Sequence, residues 1–474
     1  MKKQLSLLTL LFIVLCCQNS PQWVTSKPNI VLIVADDLGY GDLGIYGQQH
    51  FSTPNIDRLA KKGMLFTQFY SGSTVCAPSR SALMTGQHTG HTPIRGNKEV
   101  RPEGQHPLPK STPTLAKILQ NEGYTTGAFG KWGLGAPGSE GDPIDQGFDT
   151  FYGYNCQRFG HHYYPTHLWH NRDSIPLPQN LNKADQAYGP ELIHQQTLKF
   201  IDTHQKEPFF LYVPSIIPHA ELAAPAAAMA PFRNQLLPEK AFIGVDDGPT
   251  FNQGPYRSQD ECHAAFAAMV TLLDQQVGDI VEKLSTLGLL ENTLILFTSD
   301  NGPHLEGGAD PDYFDSNGIL RGYKRDLYEG GIRVPLLAHW PGKIAPGTQT
   351  NHVAAFWDIF PTLSQLLNTQ QKLNQDGLSF LPTLLGKENQ MQHDYLYWEF
   401  HERGGRQAIR QGKWKLVKYN VLKAAETQIA LFDLDQDPGE ENNLASQFPE
   451  QTKELEAMLE KARTPSTDFP FLEQ

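Results

Sequence analysis

Two pairs of polar residues close two strongly apolar runs. Asp36 and Asp37 follow Asn29-Ile-Val-Leu-Ile-Val-Ala35, and Asp300 and Asn301 follow Thr293-Leu-Ile-Leu-Phe-Thr298 and Ser299. Three carboxylates gathered in one place repel one another unless a cation lies between them. Oxygen ligands suit a hard cation, calcium or magnesium, better than zinc. For Asp36-Asp37 alone, a capping or turn role competes equally; the matching Asp300-Asn301 tips the balance to a metal. A third group lies in Thr74-Val-Cys-Ala-Pro-Ser-Arg-Ser-Ala-Leu-Met-Thr-Gly86. Pro78 suits a helix start and Gly86 its stop, which puts Cys76 just ahead of a helix N-terminus, where anions and an activated cysteine are favoured. Arg80, one turn along, can hold a charged group against residue 76. For an isolated cysteine, a half-buried position in a turn is the simpler reading.

These residues need elements to bring them together. Thr126-Gly-Ala-Phe129 runs into Gly130-Lys131-Trp132, and Pro208-Phe-Phe-Leu-Tyr-Val213 leads to Pro218-His219. Continuous apolar runs bounded by turn residues predict strands buried on both faces, as in a parallel sheet. Between them, Thr53-Pro54 to Gly63 and Thr112-Pro113 to Gly123 carry helix start and stop signals. A longer helix places Cys262, Phe266, Met269, Leu273, Val277, Ile280 and Leu284 on one face. The alternation predicts an α/β fold with a mostly parallel sheet between helices, whose ligands gather beyond the carboxyl ends of the strands. After about Tyr395 the texture changes to an antiparallel hairpin, Gln407 to Tyr419, a further strand at Leu431-Phe-Asp-Leu434 and a closing helix, Gln451 to Arg463. This predicts a main unit over residues 28–385 and a smaller α+β unit over 386–474.

The chain has 474 residues and a formal net charge of −12, which argues against a general nucleic-acid binder. Lys2-Lys3 and the apolar run Leu5–Leu15 read as a secretory signal over residues 1–17, too short for a mature membrane span. Val14-Leu15-Cys16-Cys17 also looks like a loose bacterial lipobox. The expectation is an exported protein, periplasmic, secreted or held at the cell surface by lipid, with no transmembrane span in the mature chain. Beyond the leader only Cys76, Cys156 and Cys262 remain, which is no disulfide framework. Cys156 reads as structural and Cys262 as core.

Cys76-Ala-Pro-Ser-Arg80 with the run to Thr85-Gly86 resembles the signature of the formylglycine-dependent sulfatases, in the alkaline phosphatase-like superfamily. The likeness extends in order from Pro28-Asn29 to Gly44, through Gly130-Lys131-Trp132, Pro218-His219, Ser299 to Pro303 and Tyr328-Glu-Gly-Gly-Ile-Arg-Val-Pro335, to Leu431–Pro438 and Asn443-Leu444. The resemblance implies that a maturation enzyme oxidises Cys76 to formylglycine, whose hydrated aldehyde is the nucleophile. It implies calcium, with magnesium the weaker alternative, held by Asp36, Asp37, Asp300, Asn301 and an oxygen of modified Cys76. Arg80 would steady the formylglycine, while Lys131, His219 and Lys324 would contact the sulfate. His219 or Lys324 would protonate the leaving alkoxide. The implied activity is hydrolysis of sulfate monoesters, with galactose or N-acetylgalactosamine sulfate as the expected carbohydrate.

One position departs from the pattern. The family usually shows Gly-Lys-Trp-His-Leu-Gly, with a histidine thought to help expel sulfate, and this chain has Gly133 there. His304, His161 and His162 are the candidates to replace it or to bind substrate, each competing with a structural role. Tyr152 to His170 is dense in aromatic and imidazole groups and reads equally as a carbohydrate-facing loop or a packed connector. Two alternatives stand beside the sulfatase: a phosphonate or phosphate ester hydrolase sharing the same nucleophile and metal, and a catalytically silent binder of sulfated glycans, which Gly133 favours.

Overall fold

The structure is a computed structural model and describes residues 27–244, 256–369 and 374–471. The secretory signal expected at residues 1–17 lies outside the described residues. Within them, no helix is long and apolar enough to cross a membrane.

The four apolar runs form the strands Asn29–Ala35, Thr125–Lys131, Phe209–Pro214 and Thr293–Ser299. They lie side by side and parallel, Thr293–Ser299 beside Asn29–Ala35, then Phe209–Pro214, then Thr125–Lys131. Thr150–Tyr154 extends the parallel array, and Arg333–His339 adds an antiparallel strand on the other side. The reason for unbroken apolarity is visible in the packing. Val31, Ile33 and Ala35 enter one core, while Ile30, Leu32 and Val34 enter the other. Helices Pro54–Lys62, Gly189–Thr203 and Cys262–Thr286 cover the first face. Helices Cys76–Thr85, Leu115–Asn121 and Phe356–Leu366 cover the second.

Two helix starts differ from the sequence signals. The helix expected from Thr112-Pro113 begins at Leu115, because Thr114 accepts the backbone N–H of Lys117 and so caps it. At Pro54–Lys62, Thr53 makes no side-chain cap; instead Asp274, from the long helix, accepts the N–H groups of Asn55 and Ile56. A cap supplied from another element has no local sequence signal.

The second sheet is antiparallel, in the order Leu396–Phe400, Arg406–Gln411, Trp414–Tyr419 and Gln428–Asp433. One face buries Tyr397, Ile409 and Leu416 under the helix Pro449–Lys461. The other buries Trp398, Val417 and Phe432 against Tyr70, Val75 and Trp357 of the larger unit. Lys415 crosses this junction fully buried, 2.8 Å from Glu329 and 3.0 Å from Glu440.

Candidate active site

The sheet register assembles the acidic cluster. Ala35 pairs with Ser299, so the next residues, Asp36 and Asp300, leave the sheet side by side. Asp300 donates its N–H to Ala35 O, and the N–H of Asp37 donates to Asp300 Oδ1 at 3.1 Å. Asn301 Nδ2 donates to Asp37 Oδ1 at 2.7 Å. Asp37 has φ 63°, a left-handed backbone that Asp tolerates better than most residues.

Three cations neutralise this cluster from neighbouring elements. Lys131, the last residue of its strand and fully buried, lies 2.5 Å from Asp36 Oδ2. Lys324 donates to Asp37 Oδ2 at 2.7 Å. Arg80 donates to Asp300 Oδ2 from Nε and Nη2, and from Nη1 to the Lys131 carbonyl. Burial alone would raise the carboxyl of Asp37, but Lys324 and His304 hold it down to about 2. Burial also opposes ionisation of Asp36, and Lys131 and Arg80 overcome it. At Asp300, burial and the charge of Asp36 outweigh Arg80, and the carboxyl rises to about 6.

Cys76 is the first residue of its helix rather than the residue ahead of it, because Val75 is the extended N-cap. Every residue of that helix is buried, and Gly86 ends it at φ 69°, in the left-handed region glycine favours. Cys76 Sγ lies 3.4 Å from Asp36 Oδ1 and 3.5 Å from Lys131 Nζ. The expectation of an activated thiol is corrected here. Burial and the adjacent Asp36 push the Cys76 thiol up, against the helix terminus and Lys131.

His219 follows the strand Phe209–Pro214 in a turn. Its Nδ1–H donates to Ala220 O, which leaves Nε2 to accept from Lys324 Nζ at 2.9 Å. Burial and Lys324 push its pKa well below the usual histidine range, so it stays neutral.

One potential ligand atom from each of Asp36, Asp37, Cys76 and His219 lies within 4.8 Å of the others. Asn301 Oδ1 is a buried acceptor with no hydrogen-bond partner, while Asp36 Oδ2 faces the ammonium of Lys131. An amide oxygen left open beside a cluster of carboxylates fits a hard cation. Asp300 is turned to Arg80 and the N–H of Asp37, and His219 Nε2 is taken by Lys324.

Above the cluster opens a cavity of about 420 Å³, with Cys76, His219 and Lys324 in its wall. Of the three other histidines, His161 lines it, its ring stacked on His219 at 4.7 Å. His304 lies behind His219, its Nε2 3.1 Å from Pro218 O, and His162 is turned to Glu221 at 3.6 Å. Sequence reasoning missed Tyr256, Gln157, Arg158 and Arg325, which also line the cavity. Arg325 adjoins Lys324, and Gln157-Arg158 lie in the aromatic loop already singled out; Tyr256 carried no signal.

A mixed, mostly parallel α/β sheet with such a cluster at its carboxyl edge defines an alkaline phosphatase-like hydrolase. The sulfatase family model matches residues 28–369, and a model described as N-sulphoglucosamine sulphohydrolase, C-terminal, matches 321–465. The chain belongs to the sulfatase family and is a sulfuric ester hydrolase. It is 34% identical to arylsulfatase A of Bos taurus, over 90% of this chain and 85% of that one. It is 30% identical to the N-acetylgalactosamine-6-O-sulfatase of Bacteroides thetaiotaomicron, over 93% and 94%. Among solved structures it is similar to Ps i-CgsB in complex with k-i-k-neocarrahexaose, with a TM-score of 0.74, 30% identity and 92% of each chain covered.

Proposed function

We propose that the protein hydrolyses sulfate monoesters of sulfated carbohydrate, through formylglycine made from Cys76 and with calcium as the resident cation. The observation that carries this reading is the buried Cys76, set between Asp36 and Lys131 at the floor of the cavity. A thiol that its surroundings keep protonated is a poor nucleophile. Conversion by a maturation enzyme would put a hydrated aldehyde hydroxyl in its place. Asp36, Asp37, Asp300 and Asn301 would hold calcium, which would supply fixed positive charge to the site. The names of two similar proteins, one solved in complex with k-i-k-neocarrahexaose and one an N-acetylgalactosamine-6-O-sulfatase, support a sugar substrate.

The chain's own side chains divide the remaining work. Lys324 in the cavity wall, and Lys131 buried 3.5 Å from Cys76 Sγ, provide ammonium donors for a sulfate held at residue 76. The charge of Asp37 keeps Lys324 protonated against the cost of burial. Lys324 Nζ therefore holds a proton that can pass to the leaving alkoxide, which departs as an alcohol. Neutral His219, anchored through Nδ1, orients that ammonium. Arg80 fixes Asp300 and the Lys131 carbonyl, and so the base of the site. Export remains part of the proposal, resting on Lys2-Lys3 and the apolar run after them.

The test is the mass of the Cys76 peptide from protein made in its natural host, with turnover of matched aryl sulfate and aryl phosphate. An aldehyde or its hydrate and a preference for sulfate are expected. A plain thiol, in a host whose other sulfatases are converted, would favour the silent binder that Gly133 encourages. A preference for phosphate would favour the phosphate ester hydrolase.

A further inference from the structure

Gly133 has φ +75°, and a Cβ built on it would fall 2.0 Å from Gln157 Nε2. The wall position beside Lys131 and Trp132 is therefore filled by the amide of Gln157. Its Nε2 lies 3.5 Å from the carbonyl of Gly133, the sense in which the amide turns a donor to that acceptor. That leaves Gln157 Oε1 as an acceptor without a hydrogen-bond partner, on a side chain 8% exposed in the wall of the cavity holding Cys76. A buried acceptor left open in this way calls for a donor, and a ligand can bring one. A sulfate monoester has no hydrogen to give, whereas a sugar hydroxyl does.

The charges around the same cavity narrow the ligand further. Arg158 lies 2.9 Å from Glu99, and Arg325 pairs with Glu306 and approaches Glu402 at 3.9 Å. The guanidiniums in the wall already have carboxylate partners, so a second sulfate or a uronate there would meet paired cations and the carboxylates beside them. The ammonium of Lys324, in the same wall, with Lys131 buried behind Cys76, serves one sulfate.

We propose that Gln157 is a specificity-determining residue whose Oε1 accepts a hydrogen from a sugar hydroxyl near the ester, in a site shaped for a single sulfate on an otherwise uncharged sugar. This rests on the sulfatase reading above, and deepens it by naming the substrate class.

The experiment uses full-length protein with Cys76 converted. It compares wild type and Gln157→Ala on 4-nitrophenyl sulfate, on the singly sulfated positional isomers of galactose and N-acetylgalactosamine, and on a disulfated galactose. Wild type should prefer one singly sulfated sugar over the aryl ester, and over the disulfated sugar by about tenfold in kcat/KM, or roughly 1.4 kcal/mol. In Gln157→Ala the sugar-over-aryl preference should fall about tenfold, mainly through KM, as expected when a hydrogen bond to bound substrate is lost. A matching loss on both substrate types would assign Gln157 a structural role and overturn the proposal. So would an unchanged preference, or wild type turning over no single-sulfate sugar better than the aryl ester. Preference for the disulfated sugar would overturn the charge argument. Converted protein inactive even on 4-nitrophenyl sulfate would instead overturn the sulfatase reading itself.

Discussion

Restoring a histidine at position 133 should destabilise this protein rather than repair it. At φ +75° a residue with a Cβ costs roughly 1 kcal/mol relative to glycine. The Cβ would also displace the Gln157 amide, at about 1 kcal/mol for its hydrogen bond and packing. Gly133→His should therefore lose about 2 kcal/mol. Unfolding entropy near 2.1 cal/mol/K per residue gives about 1 kcal/mol/K for this chain, so the midpoint should fall about 2 °C in scanning calorimetry. Gln157→Ala removes the atom that collides and leaves the backbone cost. In that background Gly133→His should lose only about 1 kcal/mol, a coupling of about 1 kcal/mol between the two sites. Equal losses in both backgrounds would refute the argument that Gln157 occupies the space at Gly133. A histidine variant as stable as wild type would refute the backbone argument as well.

Three further outcomes follow from buried charges. Burial opposes ionisation of Glu399, but His401, Arg95 and Arg463 hold its carboxyl at about 2, below the ordinary value near 4.5. Its ionised form stabilises the fold by about 3 kcal/mol above pH 5, lost as pH falls toward 2, so the melting difference between wild type and Glu399→Gln should shrink on acidification. Lys415→Met leaves Glu440 buried without its cation and Glu329 with Arg333 as its remaining ion-pair partner, and should lower stability by about 3 kcal/mol, or about 3 °C by calorimetry; a loss under about 1 kcal/mol would mean water reaches the junction. If calcium is the resident cation, chelation should lower the melting midpoint by about 3 °C and excess calcium should restore it better than magnesium, with Asn301→Ala weakening the response.

The fold was legible where one strand carries its own record. The run Asn29–Ala35 is apolar throughout because its alternate side chains enter two different cores, a demand that each residue meets separately. The helix start at Leu115 was displaced from Thr112-Pro113 by a cap two residues on, a choice between similar local signals. The cap on Pro54–Lys62 was not legible at all, because Asp274 belongs to a helix more than two hundred residues away.

The site divides along the same line. Asp36, Asp37, Asp300 and Asn301 were readable because each pair ends an apolar run, and a parallel register must bring such ends together. The state of Cys76 was not, because it depends on a sum over distant groups. A helix terminus and Lys131 favour the thiolate, whereas enclosure and Asp36 disfavour it, and only assembled geometry decides between them. The cavity wall is harder still. Gln157 matters through a missing side chain at Gly133, twenty-four positions earlier, and through a backbone angle that no composition reveals. Residues that generate charge at this site thus announce themselves by type and spacing. Residues that select among ligands act by filling space left by others, and for those the physical argument begins with the void.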